Sequence, residues 1–339
     1  RRNAIVGTSP SARMTPSSPT RSKPVRRLLF IVAMEQEIQP LITRFNLKAA
    51  PKSFLPGAPF VAWVGKAHGV TIHAVWCGQA ERFGGVNNVG TQAAAVAAYA
   101  AIAAFGAPDL LLSAGTAGGF RALGAAVGDV YLSTKCVYHA RRLPTGEGRL
   151  EEYGFGHFRS PPLGALAQAI GLKQGIVSTS DSLDASERDL ELMRSEGTAV
   201  KEMEAAAVAW VAMTLGVPFV ALKAVTDIVD GPHATRNEFD INLALASERL
   251  QQKVAELIER VAGTPLRDWA HSWGHAEPGE AAATRSLEKA PSSPRRLLEA
   301  VEAAAPEEPP WRSTVGVAGM LLGAAMSGVA MALVRRLRT

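Results

Sequence analysis

The chain has 339 residues, is 47% hydrophobic and carries 36 basic against 31 acidic side chains, enough apolar material for one large α/β domain or two small ones. The positive surplus is local: residues 1–27 hold seven basic and no acidic residues, whereas residues 28–263 hold 20 basic against 23 acidic ones. A slightly acidic body offers no basic face for a phosphate backbone. Two lone cysteines give neither a disulfide framework nor a Cys-based metal site, and no glycine run matches a phosphate loop or a dinucleotide fingerprint.

Residues 1–27, rich in Arg, Ser, Thr and Pro, read either as an organellar transit peptide or as an inert disordered leader. From Leu28 apolar runs alternate with amphipathic ones. Strands are expected at 28–34, 60–65, 70–77, 109–115, 128–134, 173–179 and 217–225, with a short extended run at 199–203. Helices are expected at 86–105, 163–170, 186–195, 204–215 and 237–262. This alternation predicts an α/β domain over 28–262, a mostly parallel or mixed sheet covered by helices on both faces. Beyond it, 263–312 has the Ala, Pro, Glu and Ser content of a flexible linker. Residues 315–334 then run twenty positions without a charge, between Trp311 and the cluster Arg335, Arg336 and Arg338. That length suits a carboxyl-terminal transmembrane helix, and Gly319 with Gly323 suits close helix packing; the alternative is an apolar helix docked on protein.

Polar groups recur where strands end, the places that line the ligand crevice of an open α/β sheet. AMEQEI sets Glu35 and Glu37 after the first strand, and SAGTAGGF sets Thr116 in a small-residue turn. KEMEA groups Glu202, Met203 and Glu204 ahead of an alanine-rich helix, and LKAVTD groups Lys223, Thr226 and Asp227. Taken together, AMEQEIQPL, SAGTAGGF with VGDVYLST, STSDSLD, KEMEAAAVAWV and LKAVTDIVDG resemble, in order and spacing, the 5'-methylthioadenosine/S-adenosylhomocysteine nucleosidases of plant type, within the nucleoside phosphorylase superfamily. The resemblance covers about 28–262. It implies a three-layer α/β/α sandwich with a central mixed sheet, a nucleoside substrate with water as co-substrate, no cofactor and no metal, and a homodimer. It also implies hydrolysis of the N-glycosidic bond of 5'-methylthioadenosine, with S-adenosylhomocysteine as a further substrate, in methionine salvage.

By the same resemblance Asp227 protonates the adenine, oriented by Thr226, and Glu37 activates water. Glu204 accepts the ribose hydroxyls, Met203 packs on the ribose and Glu202 flanks it. Lys223 and Thr116 hold the water and Glu37, with the lysine keeping Glu37 ionised, and Leu183 and Asp184 read the base. Two positions depart from the family pattern. Ser180 stands where the family has Gly before Asp181, at a cost if positive φ is required, and Ala140 replaces an acid beside His139, itself expected to be structural. Two alternatives stand beside this reading: a phosphorylase, against which the negative charge of Glu37 argues, and a silent storage-type relative, which tends to lack one of the acids. For location, the two ends suggest an anchor in a plastid or mitochondrial membrane, or a tail anchor with the enzyme facing the cytoplasm.

Overall fold

The computed structural model describes residues 23–50, 57–143, 148–231 and 235–270. The expected linker over most of 263–312 and the span at 315–334 lie outside them; among the described residues no helix is long and apolar enough to cross a membrane.

In chain order the elements are β1 (Arg27–Val32), α1 (Glu35–Arg44), β2 (Lys48–Ala49), β3 (Val61–Ala67), β4 (Val70–Trp76), β5 (Gln79–Ala80), β6 (Val86–Asn87), α2 (Thr91–Phe105), β7 (Leu110–Gly119) and β8 (Val130–Tyr138). They continue as α3 (Gly148–Phe155), β9 (Phe158–Arg159), α4 (Gly164–Ala169), β10 (Lys173–Thr179), α5 (Glu187–Ser195), β11 (Thr198–Glu202), α6 (Ala205–Leu215), β12 (Phe219–Ile228) and α7 (Thr235–Val261).

The main sheet is mixed, in the order β11-β10-β8-β12-β7-β1-β4-β3-β2. Alternation along its central strands divides the core. Leu29, Ile31 and Leu111 face one layer with the alanines of α2 and α6, whereas Leu28, Phe30, Val32, Leu110 and Leu112 face the other with Ile38 and Leu41 of α1 and Leu250, Val254, Leu257 and Ile258 of α7. Strands buried on both faces read as unbroken apolar runs, as β1 and β7 do. The three-layer α/β/α sandwich expected from the resemblance is therefore present. One pairing goes beyond an open sheet: β11 also runs antiparallel to the end of β7, with Val200 opposite Gly119 and Lys201 opposite Gly118. β7, β12, β8, β10 and β11 thus close a ring, which brings several strand ends to one mouth.

Several boundaries move. The body begins before Leu28, since Val25 is fully buried and bridges Ala262, and it ends past 262, where Leu266 and Trp269 pack on the core. The helix expected from 86 starts at Thr91: Val86–Asn87 pairs with Gln79–Ala80, and Gly90 takes φ 105°, a conformation that breaks helical periodicity. The strand expected to stop at 115 runs to Gly119, because Gly118 and Gly119 leave room for a tightly packed neighbour on each side. Cys77 and Cys136 are free and buried, and burial pushes both thiols above their ordinary range.

Candidate active site

Glu37 sits in the first turn of α1, immediately beyond β1, and is buried. One carboxylate oxygen, Oε1, accepts hydrogen bonds from the Thr116 N–H at 2.6 Å and the Thr116 hydroxyl at 2.8 Å, and Oε2 accepts the Met34 N–H at 3.3 Å. Gly115 makes this possible, since a Cβ there would lie 3.1 Å from Oε1. Burial raises the Glu37 pKa, and the Lys223 charge and the Thr116 and Met34 bonds only partly offset it. From α7 the Gln251 side chain donates to the Glu37 backbone carbonyl at 2.8 Å, so the acid is held by its main chain as well.

The lysine is placed differently from expectation. Lys223 Nζ lies 2.8 Å from Glu202 and 4.0 Å from Glu204, so its direct partner is Glu202 and it does not hold Glu37. Nor does it keep Glu37 in its ordinary range, because desolvation outweighs its charge. Burial opposes the lysine charge, but Glu202, Glu204 and Glu37 together raise its pKa. Glu202, expected to flank the ribose, is not among the residues that line the cavity. Its carboxylate accepts the N–H groups of Glu204 and Ala205 at the start of α6, at 2.9–3.0 Å, and a short bond from the Thr179 hydroxyl. A carboxylate at a helix N-terminus satisfies donors that have no intrahelical partner. Although burial works against its charge, Lys223 and these donors hold the Glu202 pKa low.

Glu204 is the α6 N-cap residue and faces the cavity. Oε1 accepts the Gly90 N–H at 2.8 Å, across 114 residues of sequence. Burial, then the neighbouring Glu202 charge, push its pKa up to about 8, so of this pair Glu202 keeps the charge and Glu204 takes the proton. A carboxyl whose folded pKa lies above its unfolded value contributes stability that is complete below about 4.5 and lost as pH rises through about 8. The melting temperature of the ligand-free protein is therefore expected to fall between about pH 5 and 8, and Glu204→Gln is expected to flatten that slope. An equal slope in the variant would assign the effect elsewhere.

Asp227 lies near the end of β12, just after a register shift between Val225 and Asp227 in the pairing with β7. A bulge of this kind re-aims a side chain. The Thr226 hydroxyl donates to Asp227 Oδ1 at 2.7 Å, and a Cβ on Gly118 would come within 2.7 Å of Oδ2, so the acid packs against bare backbone. Around it a cavity of about 740 Å³ is lined by Glu37, Thr116, Met203, Glu204, Thr226 and Asp227, by Leu183 and Asp184, and by apolar Met34, Val89, Val229 and Phe239. Eight of the ten residues proposed from sequence thus meet in one space; Glu202 and Lys223 stand behind it.

The two departures are accommodated. Ser180 is not in the left-handed region, so glycine is not required there, and its hydroxyl accepts the Ser182 N–H at 3.2 Å. Asp181 beside it binds the Thr91 N–H, the Thr91 hydroxyl and Gln92, which ties the 180–185 loop to the start of α2. His139 is buried and bonded to Ser178, and burial lowers its pKa to about 4. Next to it Ala140 is exposed, while Arg141 lies over the rings of Tyr138 and Tyr153. Sequence reasoning missed Lys201, Phe239 and the role of Gly90. Only Lys201, a charge directly after the apolar pair Ala199–Val200, left a signal in the sequence.

A sequence model describing the phosphorylase superfamily matches residues 27–259. The 5'-methylthioadenosine/S-adenosylhomocysteine nucleosidase of Arabidopsis thaliana is 39% identical over 249 residues, which span 73% of this chain and 96% of that protein. The 5'-methylthioadenosine nucleosidase of the same plant is 37% identical over 73% of this chain and 91% of its own length. A solved apo structure of Arabidopsis thaliana 5'-methylthioadenosine nucleosidase superposes with a TM-score of 0.70 at 37% identity, covering 73% of this chain and all of the other.

Proposed function

As a member of the 5'-methylthioadenosine/S-adenosylhomocysteine nucleosidases within the phosphorylase superfamily, this chain is a purine-nucleoside N-glycosyl hydrolase, and we propose that it cleaves 5'-methylthioadenosine in the cavity bounded by Glu37, Glu204 and Asp227. The observation that carries the assignment of roles is the meeting of the buried carboxyl groups of Glu37, Glu204 and Asp227, from three separate parts of the chain, around one largely apolar space.

The N-glycosidic bond resists water because adenine leaves poorly as an anion and the ribosyl cation is unstable. Asp227, in its protonated form, gives its proton to N7 of the base as the bond breaks, so that neutral adenine departs. Thr226 fixes the carboxyl by donating to Oδ1. Glu37, raised in pKa by burial, removes a proton from water as the oxygen bonds to C1', giving the 5-thioribose. The Thr116 bonds keep its carboxylate from turning away. Glu204 releases to solvent the proton it holds in the empty site as the ribose hydroxyls donate to it, and its charge then becomes more favourable as the ring turns cationic. Met203 packs against the sugar, and the 180–185 loop with Leu183 and Asp184 reads the base. This is the reaction by which methionine salvage recovers adenine and thioribose; S-adenosylhomocysteine, with a longer 5' group, is the second proposed substrate. Adenine release by the purified protein without phosphate is the expected result. A strict phosphate requirement would favour a phosphorylase instead, and no release from either thionucleoside would favour a silent relative.

A homodimer is supported by an apolar face on α2 and α6, where Val96, Tyr99, Trp210 and Met213 are exposed; a monomeric mass by light scattering would rule it out. Organellar or cytoplasm-facing anchoring through 315–334 rests on sequence alone. Imaging chains truncated at either end separates the two, and a soluble full-length chain would dismiss the anchor.

A further inference from the structure

We propose that Lys201, which is not among the acids of the reaction, is a positioning residue for the leaving base: it pins the Ser182 and Leu183 backbone to β11 and sets its ammonium group where it strengthens Asp227 as a proton donor. The proposal rests on the reading of Asp227 as the acid.

Lys201 is buried and lines the same cavity as Asp227. Its Nζ donates to the carbonyls of Ser182 and Leu183, both at 2.8 Å, so two of its three N–H bonds are fixed on the loop that meets the base. On β11 it stands opposite Gly118, and Asp227 packs against the same Gly118 from β12. The bare glycine backbone is what separates the two strands that carry cation and acid. Burying an ammonium group is costly, and bonds to two neutral loop carbonyls offset only part of that cost. A charge retained there at such cost indicates a task for the charge.

The groups that face Lys201 agree with this. Burial lowers its pKa, while Asp227 from β12, Glu202 on its own strand, Asp184 on the base-side loop and Asp189 on α5 act to keep the proton on it. A further titratable neighbour, His139, is held neutral by burial and by Lys201 itself. When Asp227 passes its proton to N7 it becomes a carboxylate, and the ammonium group in the wall of the same cavity stabilises that product of the transfer. The base is drawn toward the same point because the loop that contacts it hangs on the same nitrogen.

The test compares Lys201→Met and Lys201→Arg with the parent protein, reading kcat and kcat/KM for adenine release from 5'-methylthioadenosine across about pH 5 to 9. A group that must be protonated loses activity as pH rises through its pKa, and a nearby cation lowers that pKa. Without the cation the alkaline limb of kcat/KM is expected to move up by roughly one pH unit, with kcat near neutrality down about tenfold. Lys201→Arg is expected to keep the limb in place and most of the rate. An alkaline limb unmoved in Lys201→Met, whatever the fall in rate, would reduce Lys201 to a structural tie and overturn the proposal. If the methionine variant does not fold, Lys201→Gln takes its place: a limb moved up supports the proposal, and an unmoved one overturns it. A parent protein that releases adenine while these variants fail the test leaves the nucleosidase reading intact; one that releases none removes both.

Discussion

Asp227→Asn is expected to abolish adenine release, by a factor of roughly 10² to 10⁴, while the protein melts close to the parent temperature. The substitution keeps the shape of the side chain, and an amide oxygen at the Oδ1 position still accepts the Thr226 hydroxyl. What it removes is the transferable proton. The other cavity carboxyls are placed elsewhere: Glu204 takes up a proton in the empty site but sits beside Gly90, Glu37 is held by Thr116, and Asp184 is exposed on the 180–185 loop. The check is twofold, adenine release by absorbance and thermal melting of both proteins. Retention of more than about a tenth of the rate would remove Asp227 from the role of general acid, since such a loss is below the usual range for that catalyst. A large fall in melting temperature would instead make it a structural acid.

Lys223→Met is expected to cost about 3–5 kcal/mol of stability, the usual result of leaving one buried charge without its partner. Lys223 is 1% exposed and its ammonium group lies 2.8 Å from Glu202, whose other contacts are the N–H groups at the start of α6 and the Thr179 hydroxyl. For a domain of this size the change corresponds to a fall in melting temperature of roughly 10 °C. The deficit is expected to shrink as pH falls, because Glu202, freed of the cation, has its pKa raised and takes up a proton. Adding Glu202→Gln to the variant is expected to restore part of the loss; thermal melts of the single and double variants between about pH 5 and 8 measure both effects. Equal stability of the single variant and the parent at neutral pH would show that the pair carries no net weight.

Much of this site is legible in the order of residues. Acids after strands, in a chain of alternating apolar and amphipathic runs, belong at the mouth of an α/β sheet, and Glu37, Thr116, Met203, Glu204, Thr226 and Asp227 do line one cavity. The misplacements share one cause. Glu202 and Lys223 lie in strands of unbroken burial, where no period-2 alternation tells which face a side chain takes. Their motifs assign both to the substrate, whereas they neutralise each other behind it. The role of Lys201, as distinct from its presence as a charge in a strand, escapes a linear reading for a related reason: it comes from β11 pairing with β7, a contact between strands distant in the chain that no local pattern announces.

The sequence by itself determined the alternation of strands and helices, the division of charge between the amino terminus and the body, and which carboxyl groups stand where strands end. These depend on nearest neighbours and on periodicity, which a linear chain displays directly. Only the tertiary structure decided how the charges are shared. Closure of β11 onto β7, the shift in register before Asp227 and the bare backbone at Gly115 and Gly118 set the distances, and burial at those distances gives Lys223 to Glu202 and a proton to Glu204. Electrostatic energies vary with separation and with local exclusion of water, and both are properties of the folded space rather than of the order of residues.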